Sequence, residues 1–138
     1  MVQAGYFGFS SETNHKVYRE NDFVVAGTYH QDLAKFTIED RNMFLGVIPS
    51  QGLNQLYYRN RLRIMSPTIS ESMKMRLYAF GEGYYSFRDE SFTRNRKGAG
   101  FIMEASKNIL LDVSYLHQED RYLDHRSLIF FQITAKLN

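Results

Sequence analysis

The sequence has no cysteine, no tryptophan, only two prolines and no long apolar run. Without cysteine, neither a disulfide framework nor a thiolate metal site can form. No run approaches the roughly 20 apolar residues that a membrane-spanning helix needs, so helical spans are excluded as well. The N-terminus lacks the basic and apolar stretches of a signal peptide, and if the protein is exported we expect its precursor to carry one.

Charge is nearly balanced along the chain, whereas aromatic residues are abundant. Lys and Arg total 17 against 15 Asp and Glu, and this net charge of +2 is too small to indicate a nucleic-acid partner. Tyr 10 and Phe 11 give an aromatic fraction of 15%, which favours strands and membrane interfaces. The length of 138 residues suits one domain, so we predict a single domain over residues 1–138.

Apolar and polar residues alternate with period two in segments of about ten residues, which is typical of β-strands. Residues suited to turns, such as Gln31–Asp32 and 106–108, separate the segments, and short connections imply antiparallel neighbours. The sequence therefore predicts an all-β fold, a small antiparallel up-and-down transmembrane β-barrel of about eight strands. The predicted strands cover residues 2–11, 16–30, 33–45, 53–66, 71–86, 95–107, 109–119 and 125–137.

The transmembrane assignment depends on which face of the alternation points inward. Arg and Glu residues of both signs fall on one face, where they could fill a narrow barrel as a mutually neutralising network. The opposite face then turns Phe101, Met103, Val113, Phe131 and Ile133 toward lipid. We predict that the interior polar network consists of Glu39, Arg41, Arg59, Arg61, Arg63, Glu82, Arg96 and Glu104.

Aromatic residues fall mostly toward the predicted strand ends, where a membrane barrel has its interfacial girdles. In a soluble barrel the same residues would be ordinary strand formers of the core, so this pattern supports the membrane assignment without requiring it. The expected girdle residues are Tyr57, Tyr58, Tyr78, Tyr84, Tyr85, Phe87, Phe92, Tyr115 and Tyr122.

Four short motifs in the second half of the chain carry a family resemblance. They are Tyr57-Tyr58-Arg59-Asn60-Arg61-Leu62-Arg63, residues 78–85 (YAFGEGYY), residues 94–100 (RNRKGAG) and residues 113–118 (VSYLHQ), followed by His125 at the start of the last strand. Over roughly residues 36–138, the chain resembles the bacterial outer-membrane family DUF2490. Membership would imply an outer-membrane β-barrel with no established activity, located in the bacterial outer membrane.

Catalytic and metal-binding signals are sparse. His125 and Ser127 lie two apart on one strand face and could form a base and nucleophile pair, with Glu119 or Asp124 orienting the histidine. The resemblance of this pair to the His-x-Ser pair of outer-membrane lipid A deacylases is weak, and we expect no enzymatic activity. His117 and His125 could approach each other across the last loop. However, the four histidines, His15, His30, His117 and His125, are scattered, so no metal or other cofactor is expected.

Two charged loops, at residues 88–94 and 119–125, could bind outer-membrane lipid or lipopolysaccharide phosphates, or a protein partner. Three functions therefore stay open at this point. The first is a non-enzymatic outer-membrane barrel with a structural or binding role, its interior closed by salt bridges. The second is a soluble lipocalin-like barrel that binds an apolar ligand, and the third is a barrel lipid hydrolase that uses His125 and Ser127.

Overall fold

Each strand of the computed structural model pairs in antiparallel register with the strand that follows it in sequence. The structure describes residues 1–13, 16–50, 53–121 and 125–135, and it describes side chains only outside residues 7–20. The predicted all-β, up-and-down fold of eight strands is confirmed, and the sheet curls into a half-barrel. The strands are β1 (Val2–Thr13), β2 (Lys16–Leu33), β3 (Phe36–Pro49), β4 (Gln55–Met65), β5 (Arg76–Ser86), β6 (Ser91–Ser106), β7 (Ile109–Asp120) and β8 (Arg126–Ala135).

The chain reverses at alternate ends of the strands, so the sheet has two rims. One rim, here called the loop rim, carries the connections β1–β2, β3–β4, β5–β6 and β7–β8. The other, the turn rim, carries the two-residue connections at 34–35 and 107–108 and the longer segment 66–75. No helix long and apolar enough to cross a membrane occurs in the described part of the chain.

The first of these tight turns lies further along the chain than its composition indicates. The sequence places it at Gln31–Asp32, but both residues continue β2, and the chain reverses at 34–35. The Asp32 carboxylate accepts a hydrogen bond of 2.8 Å from the Thr37 hydroxyl across the hairpin, which ties this polar residue to the ladder. Ala34 supplies the reversal with a φ of 55°, so the predicted start of β3 at residue 33 is wrong.

The starts of β5 and β6 also differ from the prediction. β5 starts at Arg76 rather than at 71, because residues 66–75 fold as a separate loop that contains an isolated bridge between Ser70 and Met75. β6 starts at Ser91 rather than at 95, because a register shift at Tyr84/Tyr85 lets the β5–β6 hairpin continue to the pair of Ser86 and Ser91. Residues 136 and 137, which the sequence assigns to the last strand, lie outside the described residues.

The sheet has a concave face that is mostly polar and an outer face that is mostly apolar. The buried residues of the concave face include the polar Glu39, Glu82, Ser114 and Gln118 as well as five apolar side chains. The apolar members are Ala26, Met43, Met65, Tyr78 and Leu116. The large apolar side chains that alternate with them along the strands, such as Leu62, stay exposed on the outer face.

The two ends of the sheet are open. Pairing runs from β1 to β8 in sequence order, and among the described residues no contact joins β1 to β8. Every described residue of β8 is accordingly exposed. The fold therefore offers one curved face that gathers polar side chains, one apolar face, and two unpaired edges.

Candidate functional site

The concave face holds a cleft of about 270 Å³ between β3 and β8. Seven of the residues that line it carry charge. They are Arg41, Arg59, Arg61, Arg63, Glu82, Arg96 and Asp112. Six of these seven residues, all except Asp112, belong to the polar network predicted from sequence, and Glu39 joins them through its ion pair with Arg61. The register of the sheet therefore brings most of the predicted set together.

Glu39 organises one end of this cleft. Its side chain is buried, with a residue exposure of 5%, and its two oxygens accept hydrogen bonds from Arg61 at 3.0 Å and Arg63 at 2.7 Å. The pairing is possible because Glu39 lies directly opposite Arg63 in the β3–β4 register. Two guanidinium partners satisfy a carboxylate that would otherwise be costly to bury.

Glu82 organises the middle of the cleft in the same way. It accepts a hydrogen bond from Arg59, and its other oxygen lies 3.3 Å from Nη1 of Arg96. Arg96 continues the chain of contacts, donating to the Tyr84 hydroxyl at 2.7 Å and to Oε1 of Gln118 at 2.6 Å. The network therefore extends over β4, β5, β6 and β7.

Aromatic rings complete this network, although the sequence indicated a different place for them. The guanidinium carbons of Arg59, Arg94 and Arg96 lie 5.0, 5.3 and 5.1 Å from the centre of the Tyr84 ring, within cation–π range. The guanidinium carbon of Arg63 likewise lies 5.1 Å from the centre of the Tyr78 ring, and the Tyr78 hydroxyl donates a hydrogen bond to Asp112. Tyr78 and Tyr84 thus lie on the concave face and not in an outer girdle, and Tyr122 lies outside the described residues.

Tyr84 and Gln118 are parts of the network that our selection of charged residues missed. Period-two alternation could have found them, because Tyr84 shares a strand face with Glu82 and Gln118 lies opposite Arg96. Gln118 is only 1% exposed. Neutral hydrogen-bonding groups therefore link the ion pairs.

The cleft carries a surplus of positive charge. Five arginines surround it against three carboxylates, those of Glu39, Glu82 and Asp112. Arg41 contributes most to the imbalance, because it lies directly opposite Arg61 in the β3–β4 register and donates to the neutral Gln3 at 3.3 Å. No salt bridge to Arg41 occurs among the described side chains.

Glu104, the last residue of the predicted network, lies near the turn rim. A register shift between Glu104 and Ser106 precedes the β6–β7 turn, and Glu104 accepts a hydrogen bond of 2.8 Å from Lys74 of the 66–75 loop. That bond raises the pKa of the Lys74 ammonium. Glu104 also lines a second cleft of about 600 Å³ that Glu39 and Arg63 share.

The structure gives Ser127 a different partner from the histidine that the sequence suggested. Ser127 lies directly opposite His117 in the β7–β8 register, and its hydroxyl is 3.3 Å from Nδ1 of His117. The second nitrogen of His117 lies 3.8 Å from Oε1 of Glu119, which exceeds hydrogen-bond distance, so no continuous Ser–His–Glu relay forms. Asp124 and His15 lie outside the described residues.

His117, Glu119 and His125 form a cluster that the linear spacing did not indicate. Their ligand atoms lie within 4.8 Å of one another. The only sequence signal is that His117 and His125 could approach across the last loop, and the structure stacks their rings with centroids 6.1 Å apart. The cluster lies on the outer face near the loop rim, away from the concave cleft.

Charged residues of the two predicted binding loops lie on the same rim. Arg94 pairs with Asp120 at 2.6 Å, and Arg121 donates to the Ser91 hydroxyl at 2.5 Å. Arg88 is exposed in the β5–β6 connection. The β5–β6 and β7–β8 connections are thus joined into one charged surface, on which Asp89, Glu90, Glu119 and Asp120 accompany the arginines.

Comparison with known families places this chain in a recognised group. A family model described as a protein of unknown function (DUF2490) matches residues 1–127. The resemblance seen in the sequence covered roughly residues 36–138, so the match adds the N-terminal strands and ends earlier. No curated protein and no solved structure matches the chain significantly.

Proposed function

The chain belongs to DUF2490, a family of proteins of unknown function, and from its own geometry we propose that it is a bacterial outer-membrane β-barrel protein without enzymatic activity. Its role in this proposal is structural or lipid-binding. The concave ion-pair network closes the interior, and the outer face contacts hydrocarbon.

The exposed apolar surface of the outer face carries this proposal. Leu62 is 46% exposed, Tyr115 58%, Phe131 58% and Ile133 59%. Soluble monomers rarely expose contiguous apolar patches larger than a few hundred Å². Hydrocarbon is a better solvent for such a face than water, because exposing apolar side chains to hydrocarbon has no free-energy cost.

Strand length supports the same conclusion. A tilted strand needs about 9–11 residues to cross a bilayer. The shortest of the eight strands, β8, has 10 residues. Every strand is therefore long enough to span.

An aromatic row on the outer face near the loop rim provides separate support. Phe44, Tyr58, Tyr85 and Phe92 are successive partners across β3, β4, β5 and β6. Phe87 packs against this row, 5.4 Å from Tyr85 and 6.4 Å from Phe44 between ring centroids. Bands of this kind mark the membrane–water interfaces of transmembrane barrels.

The soluble lipocalin-like alternative has less support. Such a barrel holds an apolar ligand in an apolar interior and presents a polar surface to water. Here Glu39 and Glu82 are 5% and 6% exposed on the concave face, and their arginine partners line the same cleft. Both faces would have to be inverted for an apolar ligand to bind inside.

Extraction behaviour tests the proposal. We expect the protein to sediment with outer membranes, to require detergent for monodispersity, and to migrate faster on gels when it is not heated. A monodisperse protein in detergent-free buffer, with the same mobility before and after heating, would contradict the membrane assignment.

We further propose that the loop rim binds lipopolysaccharide phosphates. Arg88, Arg94 and Arg121 lie there, and guanidinium groups bind phosphate through charge-assisted hydrogen bonds. Their combined replacement by Gln should weaken binding to lipopolysaccharide vesicles.

Lys35 and Lys107 provide the matched control, because they lie in the two tight turns of the opposite rim. Their replacement by Gln removes positive charge and should leave binding unchanged. Equal losses from the two sets of substitutions, or no loss from the arginine set, would overturn the lipopolysaccharide proposal while leaving the membrane assignment intact.

A further inference from the structure

Three side chains with metal-ligating atoms converge on the outer face at the loop rim, apart from the concave network. His117 and Glu119 lie two residues apart on β7 and therefore share a face. His125 precedes β8, and its position follows from the register in which Gln118 pairs with Arg126. Continuing that register by one pair places His125 opposite Glu119.

The distances within this group fit ligands of one metal ion better than hydrogen-bond partners. Nε2 of His117 lies 3.8 Å from Oε1 of Glu119, and the ligand atoms of all three residues lie within 4.8 Å of one another. Hydrogen bonds between such atoms measure about 2.7–3.2 Å. Two ligands about 2.0–2.1 Å from a tetrahedral zinc ion are separated by about 3.3 Å, so a small contraction would complete the site.

Ser127 orients the first of these ligands. Its hydroxyl lies 3.3 Å from Nδ1 of His117, so an Nδ1 hydrogen can be donated to it, and the Nε2 lone pair is then directed toward Glu119. Metal-bound histidines commonly donate their second ring nitrogen to an oxygen in this way. The stacking of the His117 and His125 rings, at an interplanar angle of 10°, keeps both imidazoles beside the carboxylate.

We propose that His117, Glu119 and His125 bind a divalent transition-metal ion, with zinc as the best match. Two imidazoles and one carboxylate suit zinc and its neighbours in the first transition row, whereas calcium and magnesium prefer all-oxygen sites. Three protein ligands leave a fourth tetrahedral position open for water or an external ligand.

Lys97 opposes metal binding in this site. Its ammonium lies 3.0 Å from Oε1 of Glu119 and opposite His117 in the β6–β7 register. A divalent cation must displace the Lys97 ammonium from Glu119 or share the carboxylate with that ammonium. Lys97→Gln should therefore strengthen zinc binding, an effect that a purely structural role of the three ligands would not produce.

Zinc titration of the full chain, purified without a histidine tag, tests the proposal. Calorimetry should show one saturable site per chain, with the affinity reduced about tenfold or more in His117→Ala, Glu119→Gln and His125→Ala. His30→Ala provides the matched control, because His30 is exposed and lies near the turn rim, and it should bind zinc unchanged.

A cobalt absorption spectrum gives a second readout on the unmodified protein, independent of whether the variants fold. Cobalt in a tetrahedral site of nitrogen and oxygen ligands absorbs far more strongly in the visible range than the hydrated ion. We expect such a spectrum, abolished by added zinc. A spectrum of hydrated cobalt, or zinc binding that survives all three ligand substitutions, would overturn the proposal.

Discussion

At the scale of single residues, the arginines of the concave cleft differ in what they contribute. Arg61 and Arg63 bind the buried Glu39, whereas Arg41 lies opposite Arg61 and adds a like charge. Like charges directly opposite each other across a sheet destabilise it, and a buried carboxylate that loses a partner is costly. Residues of one type on one face therefore have opposite effects on stability.

This difference predicts opposite outcomes for two matched substitutions. Arg61→Met should lower the free energy of unfolding by about 1–3 kcal/mol, because Glu39 loses one of its two guanidinium partners. Arg41→Met should raise it by about 0.2–1 kcal/mol, because the repulsion across β3 and β4 is removed. Urea unfolding in lipid vesicles measures both, and equal destabilisation by the two substitutions would contradict this account of the cleft.

For single residues, the sequence predicted the strand face of a side chain but not the residue that lies opposite it. Alternation placed Glu39, Arg61 and Glu82 on one face, because side-chain direction in a strand follows residue parity. It could not show which arginine lies opposite which carboxylate, since register depends on where each hairpin turns. The turn at 34–35 is one example. It depends on a positive φ at Ala34, a conformation that the residue type does not predict.

At the scale of the strands, β6 and β7 approach closely at a glycine. A Cβ atom on Gly98 would lie 2.4 Å from the backbone oxygen of Tyr115 and 3.0 Å from Cα of Leu116. A Cβ on Gly81, in the neighbouring strand β5, would meet nothing within 4 Å. Gly98 is therefore required by the packing of the sheet, and Gly81 is not.

Alanine substitutions test this contrast. Gly98→Ala should cost about 1–3 kcal/mol, because backbone of β7 has to move. Gly81→Ala should change stability by no more than about 0.5 kcal/mol. Unfolding midpoints in vesicles would show the difference, and equal effects would mean that β6 and β7 are not as close as described.

The outer face of β4 predicts that the effect of a lysine substitution on stability depends on its depth in the bilayer. Leu62 lies in the middle of the strand and Leu56 near its end at the loop rim, and both are exposed on the outer face. If that face contacts lipid, Leu62→Lys should cost about 2–4 kcal/mol and Leu56→Lys about 0–1 kcal/mol. On a water-exposed surface both substitutions would be nearly neutral, so equal and small effects on unfolding would count against lipid contact.

At the scale of the whole molecule, the open edges matter most. The outer edge of β8 carries ten residues without a described strand partner, and its segment from Ser127 to Ala135 contains no charged side chain. Charged residues usually protect exposed edges from pairing with other strands. If the protein spans a membrane, each unpaired backbone group would cost several kcal/mol in hydrocarbon, and we then expect other strands to cover the edges of β1 and β8.

The half-barrel also shows where sequence reasoning reaches its limit for the whole fold. Hairpin order followed from short connections, since neighbours in sequence pair locally. Closure depends on how far the sheet coils, which is set by close approaches such as that at Gly98 and by register shifts such as that at Tyr84/Tyr85. A glycine inside a strand indicates a close approach or a bend but does not show which backbone comes near, and the register shift has no signature in residue type.

Spin-label accessibility at engineered cysteines tests the central claim most directly, because the chain has no native cysteine. Labels at Leu62 and Ile64 on the outer face, and at Ser114 on the concave face, would be compared in protein reconstituted into vesicles. We predict that labels 62 and 64 collide readily with oxygen and hardly with a water-soluble nickel complex, and that label 114 is shielded from oxygen in the lipid. Ready collision of labels 62 and 64 with the nickel complex would show that the outer face meets water and would contradict the account.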